Sequence, residues 1–166
     1  GIQPDLIVGT SIGAIVGALY ADAQDSDKIF NLVKSIHREQ LLPLQTDVRY
    51  GMNDGQQIKT FLHDNLTHST IESLPTAFIA VATNFEFGTA SAFDRGDIAN
   101  AALASAAIPG VISPVNIDDQ YYVDGGVSSP VPATIAKYWK PKMIIAVNLD
   151  NELSQKPPLT IAGVME

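Results

Sequence analysis

The chain has 166 residues, enough for one domain that buries roughly two thirds of its unfolded surface; 46% are hydrophobic and only 17% charged, where about 25% is usual, which excludes intrinsic disorder. Ten Lys and Arg against eighteen Asp and Glu give a net charge of −8, which opposes attraction to phosphate backbones or anionic lipid surfaces and makes nucleic acid a poor partner. With no cysteine, disulfides, thiolate metal sites, iron–sulfur centres and a cysteine nucleophile are all excluded.

No charged leader opens the chain. The longest apolar stretch, residues 6–21, holds 16 residues including Thr10 and Ser11, short of the roughly 20 that span a bilayer. A cytoplasmic or peripheral-membrane location is expected, with an upstream signal left open. Gly1 stands where an initiator Met would, and a strand-like run follows at once, so the numbered chain reads as a piece of something longer.

Residues 5–8 read as a short buried strand, 9–13 as a tight turn and 14–21 as a helix of small and branched apolar residues. Ser26 is placed to cap a helix with Ile29, Phe30, Val33 and Ile36 on its apolar side. Asn53 or Asp54 is placed to cap another with Ile58, Phe61, Leu62 and Leu66. Between them residues 41–51 have no clear period and read as a loop or flap. The apolar run 77–83 fits a central strand, paired with 89–93 across a turn at 86–88. Residues 97–107 are an Ala-rich helix ended by Pro109 and Gly110. Short strands follow at 115–117 and 121–123, then Asp124-Gly125-Gly126. Pro132 opens a helix through Trp139, and 142–149 reads as a closing buried strand before a Pro-rich tail. Apolar strands alternating with helices predict an α/β layer structure with a largely parallel sheet.

Gly9-Thr10-Ser11-Ile12-Gly13 is a GxSxG pentapeptide between a predicted strand and a predicted helix, the context of a nucleophile elbow. Such a turn strains the Ser11 backbone, and glycines on either side let strand and helix pass closely. The Ile12 N–H at the helix start is the expected oxyanion donor. Alternatively, Gly9, Gly13 and Gly17 form a small-residue packing face and Ser11 is one hydroxyl in a turn. Neither GxGxxG nor GxxxxGK[ST] occurs.

A serine nucleophile needs a base. The histidines are His37, His63 and His68, and none follows residue 68, so the Ser, acid, His order of α/β-hydrolases is not present within the chain. All three read as surface or helix-end residues. Asp124 is the carboxylate with a special setting, at the carboxyl end of an apolar strand as Ser11 is, where open α/β sheets bind ligands. Desolvation in an apolar pocket would raise its pKa and make it a better base toward a hydroxyl. An Asp-Gly turn is the plain alternative. Arg95-Gly96-Asp97 reads as a turn and helix start, and Asp118-Asp119 as a hairpin tip rather than a cation site. Phe85, Phe87, Tyr121 and Tyr122 could line an acyl pocket or serve as core and cross-strand aromatics.

Residues 4–14, around the elbow, resemble the patatin-like phospholipases, especially the short bacterial members. Ala104-Ser105-Ala106-Ala107-Ile108-Pro109-Gly110 followed by Pro114-Val115 is similar to that family's Ser-x-x-x-Pro segment. Asp124-Gly125-Gly126 followed by Pro130-Val131-Pro132 is similar to its DG[GA] block. The resemblance implies a three-layer α/β/α sandwich with a mostly parallel central sheet. It also implies a Ser11–Asp124 dyad without histidine, with Gly9, Gly13, Gly125 and Gly126 as motif glycines and neither metal nor cofactor. The implied activity is hydrolysis of fatty-acyl esters of phospholipids or related lipids through an acyl-serine. Family members carry a GGxRG-type oxyanion loop tens of residues before the elbow. The expected organisation is therefore a catalytic domain over 1–150, lacking its first strand and oxyanion loop, and a Pro-containing tail over 151–166. Expected partners are a lipid or acyl-ester substrate and, transiently, a membrane surface met through an apolar rim. Two other functions stay open: a non-catalytic acyl-binding or interaction domain, and an acyltransferase using the same dyad.

Overall fold

The apolar run that ends in Gly9 and Thr10 forms β1 (Leu6–Thr10), which passes through Ser11 directly into α1 (Ile12–Ala23). The computed structural model describes residues 2–35 and 53–149. The loop expected over 41–51, Ile36, His37 and the tail 151–166 lie outside the described residues.

β2 (Ala77–Asn84), almost wholly buried, is the centre of the sheet. β1 pairs with it in parallel from Leu6↔Ala77 to Thr10↔Val81, and β3 (Ala90–Phe93) pairs antiparallel from Ala80↔Phe93 to Thr83↔Ala90. Both strands flank Ala80 and Val81, so they lie on opposite edges. β5 (Gln120–Asp124) pairs antiparallel from Ala82↔Asp124 to Asn84↔Tyr122 and shares Ala82 and Thr83 with β3, so it occupies the edge that β1 uses. β1 and β5 therefore lie in line along one edge of β2. Their carboxyl ends meet head to head between Val81 and Ala82, which brings residues 11 and 124 together. β4 (Val115–Ile117) joins β5 through Asp118 and Asp119, both at positive φ, the tight two-residue hairpin turn that short Asp side chains tolerate.

The α/β class and the helix-flanked open sheet are those expected. The sheet is mixed rather than mostly parallel, since among the described strands only β1 and β2 pair in parallel. The connections explain this: residues 85–89 and the Asp118–Asp119 turn are too short for the crossover that parallel strands need.

α1 and α4 (Ile98–Ser105) both pack on the sheet, and a second helical layer covers them. Ala14, Ala18 and Ala21 pack on Phe78 and Ala80, while Ile15 and Leu19 face Ile29, Ile58, Leu62 and Leu103. Small residues permit the close approach, since a Cβ on Gly17 would lie 2.9 Å from Ile7 Cγ2. The covering layer is α2 (Ser26–Ser35) and α3 (Gln56–Asn65), while Leu103 reaches the same cluster from α4. Asp25, not Ser26, caps α2, accepting the N–H groups of Asp27 and Lys28 at 3.0 Å each. Of the apolar positions predicted there, Ile29 is buried, whereas Phe30 and Val33 are exposed and Lys34 lies over the Phe30 ring. Asp97 caps α4 by accepting the Asn100 N–H at 2.7 Å, as a turn and helix start at 95–97 requires.

The helix expected over 132–139 is α5 (Ala133–Ala136) followed by a 3₁₀ turn (Lys137–Trp139). The buried strand expected over 142–149 does not form among the described residues: the segment is exposed and has no strand structure, with Met143, Ile145, Val147 and Leu149 open to solvent. An apolar run becomes a strand only when an edge receives it, and no described strand pairs with this one. Among the described residues no helix is long and apolar enough to cross a membrane.

Candidate active site

Ser11 occupies the gap between β1 and α1 with φ 55° and ψ −125°, a conformation that costs a non-glycine residue about 1–3 kcal/mol and persists only when its surroundings hold it. Every polar group of Ser11 is engaged. Its carbonyl starts α1 by accepting from the N–H groups of Ala14 and Ile15 at 2.9 and 3.3 Å. Its own N–H donates to Ser105 Oγ at 2.9 Å. A serine at a helix N-cap ordinarily turns its hydroxyl onto the helix N–H groups. Here the hydroxyl turns away and donates to Asp124 Oδ2 at 2.5 Å.

The two glycines flanking Ser11 are not equivalent. A Cβ on Gly9 would lie 2.4 Å from the Gly13 carbonyl oxygen and 2.7 Å from Ala14 Cα, so the close passage of strand and helix depends on Gly9. A Cβ on Gly13 would meet nothing within 4 Å. The expectation that both glycines relieve this crossing is thus corrected for Gly13.

Asp124 is buried at the end of β5 and fixed by four hydrogen bonds. Oδ2 accepts from Ser11, and Oδ1 accepts the Gly126 N–H at 2.6 Å. Its own N–H donates to the Ala107 carbonyl at 2.9 Å, and its carbonyl accepts from Thr83 Oγ1 at 2.8 Å. The Thr83 hydroxyl has one proton, so Ser128 Oγ, 2.7 Å away, donates to it. Burial pushes the Asp124 carboxyl above the ordinary aspartate value, while the hydrogen bonds from Ser11 and Gly126 pull the other way and lose. Both following glycines are needed sterically. A Cβ on Gly125 would lie 2.0 Å from the Val81 carbonyl oxygen, and one on Gly126 would lie 2.9 Å from Asp124 Oδ1.

Ile12 opens α1, where first-turn N–H groups have no intrahelical acceptor and the helix dipole favours negative charge. Three apolar residues on the chain segments that carry or hold the pair are open to solvent: Ile12 is 51% exposed, Ile108 40% and Val127 62%. Of the aromatic candidates, Tyr122 is buried edge-on against Phe93, with ring centroids 4.9 Å apart, while Phe85, Phe87 and Tyr121 are exposed. Neither described histidine bonds Ser11. His63 is exposed on α3, and His68 Nδ1 lies 2.7 Å from Asp22 Oδ1 at the far end of α1. Among the described residues no group of three or more His, Cys, Asp or Glu side chains is placed to hold a metal ion.

Sequence reasoning missed the polar residues behind the pair. In the sequence Ser105 stands out only as part of a motif and Thr83 only as the end of a strand. The available signal is a buried hydroxyl in a mostly apolar stretch, at the end of Ala-rich α4 and near the end of strand β2.

An open α/β sheet with a serine at the turn from strand into helix and a buried carboxylate against it defines an α/β protein with a candidate serine site. Within that class, the chain belongs to the patatin-like phospholipase family, whose model matches residues 1–137. It is similar to uncharacterized NTE family proteins of Mycobacterium bovis and Mycobacterium tuberculosis, each 34% identical over 146 residues, which are 87% of this chain and 40% of those proteins. Patatin-like phospholipase domain-containing protein 6 of Mus musculus is 25% identical over 159 residues, 92% of this chain and 12% of that protein. The chain thus spans less than half the length of these relatives.

Proposed function

We propose that this domain hydrolyses fatty-acyl esters of phospholipids or related lipids, with Ser11 as nucleophile and Asp124 as its base. The observation that carries this reading is the 2.5 Å hydrogen bond from Ser11 Oγ to Asp124 Oδ2 at a strained elbow. A packing serine would have no reason to leave its helix cap for a desolvated carboxylate.

In the first step Ser11 Oγ attacks the ester carbonyl carbon as its proton passes to Asp124 Oδ2. The tetrahedral oxyanion forms at the start of α1, where the Ile12 N–H donates to it. Collapse breaks the ester C–O bond, and the departing alcohol takes the proton from Asp124, leaving an acyl-serine. Water then attacks the acyl carbon while Asp124 removes its proton. Collapse returns that proton to Ser11 Oγ and frees the fatty acid. The Gly126 N–H holds Oδ1 throughout, so Oδ2 keeps facing the serine. Ile12, Ile108 and Val127 give the acyl chain an apolar rim and, for a bilayer substrate, a transient surface contact that a net charge of −8 would not provide.

Hydrolysis of a nitrophenyl acyl ester by the full chain and its Ser11→Ala variant tests this directly. The variant is expected to lose activity to background, and unchanged activity would overturn the reading. Adding an alcohol acceptor separates the acyltransferase alternative, which would give a new ester instead of the free acid.

A further inference from the structure

Where β1 and β5 meet end to end, Ser105 fills the space behind the junction. It closes α4, is 0% exposed, and makes two hydrogen bonds through a single hydroxyl. Its oxygen accepts the Ser11 N–H at 2.9 Å, and its proton goes to the Val81 carbonyl at 2.5 Å. Val81 is the last β2 residue paired with β1, and its carbonyl points to where β5 turns away, as the 2.0 Å approach of a Gly125 Cβ shows. The hydroxyl therefore spans the break, tying the elbow to the central strand at the point where strand pairing changes hands.

We propose that Ser105 is a positioning residue for the reaction, resting on Ser11 as the nucleophile. By clamping the Ser11 main chain to β2, it keeps the strained elbow in place and the Ser11 hydroxyl at Asp124. Two features set it apart from an ordinary buried hydroxyl. It bonds the one residue of the elbow whose backbone is strained, and it does so from an element remote in sequence, 94 positions away. Asp124 is held by separate partners, the Ala107 carbonyl, Thr83 and Gly126, so loss of the Ser105 hydroxyl moves the nucleophile without moving the base.

The test uses the full chain with Ser105→Ala, Ser105→Cys and Ser11→Ala, measuring kcat, KM, pH profile and melting temperature on a nitrophenyl ester. Because misplacing a reacting group by about 1 Å can cost roughly 100-fold, Ser105→Ala is expected to lower kcat about 10- to 100-fold with KM within about twofold. The acid limb of its pH profile is expected to move up, since displacing the Ser11 hydroxyl removes a hydrogen bond that holds the Asp124 carboxyl down. Ser105→Cys keeps the side-chain shape with a larger atom that bonds weakly, and is expected to lie between wild type and alanine. If Ser105→Ala fails to fold, the cysteine variant decides. Wild-type kcat in a folded Ser105 variant, with only its melting temperature lowered, would make the residue merely structural and overturn the proposal. Activity in Ser11→Ala would instead overturn the dyad itself.

Discussion

Asp124 holds its proton more tightly in the folded protein than an exposed aspartate does, because burial outweighs the hydrogen bonds from Ser11 and Gly126. As a base it must be ionised, so the acid limb of kcat/KM is expected above the ordinary aspartate value; a limb at or below that value would contradict its desolvation. Its raised pKa also means that ionisation weighs against folding as pH rises through the folded value. Asp124→Asn is therefore expected to lose activity while melting no lower than wild type. Asp22 has the opposite sign. Burial pushes its carboxyl up, but hydrogen bonds from the Thr67 N–H and from the ring and N–H of His68 outweigh this and hold it below the usual value. Its contribution to stability is present at neutral pH and lost as pH falls through that lowered value. Asp22→Ala is expected to cost about 1–3 kcal/mol at neutral pH, with the gap to wild type narrowing in acid, as denaturant unfolding at the two conditions would measure.

At the scale of elements, the two glycines of the elbow separate what the motif treats alike. Gly9→Ala drives a methyl into the backbone of residues 13 and 14 and is expected to abolish the elbow. Gly13→Ala meets open space in a helix and is expected to fold with stability unchanged or raised by up to about 1 kcal/mol, as melting curves of the pair would show. A pentapeptide pattern does not carry this distinction, because it depends on the crossing angle of β1 and α1. The same limit explains other differences. The hairpin at 118–119 and the Asp97 cap were legible because turn and cap chemistry are local. Residues 142–149 were misread because strand formation depends on a partner edge, which composition cannot supply. Phe30 and Val33 fit the apolar period of α2, yet only the Ile29 side of that helix meets the core.

For the whole molecule, the sequence placed Ser11 and Asp124 at the carboxyl ends of two strands, and so on one rim. It did not show that the strands share a single edge of β2 and collide end on, which turns a shared rim into a 2.5 Å contact across 113 positions of chain. Nor did it show Ser105 and Thr83 behind the pair, since their roles exist only once α4 and β2 pack together. The most direct measurement is peptide mapping of a fluorophosphonate adduct on the full chain, beside its Asp124→Asn variant. The expected result is a single adduct on Ser11 in the wild type, with labelling strongly slowed in the variant. Absence of an adduct on Ser11, or equal labelling without the carboxylate, would contradict the dyad.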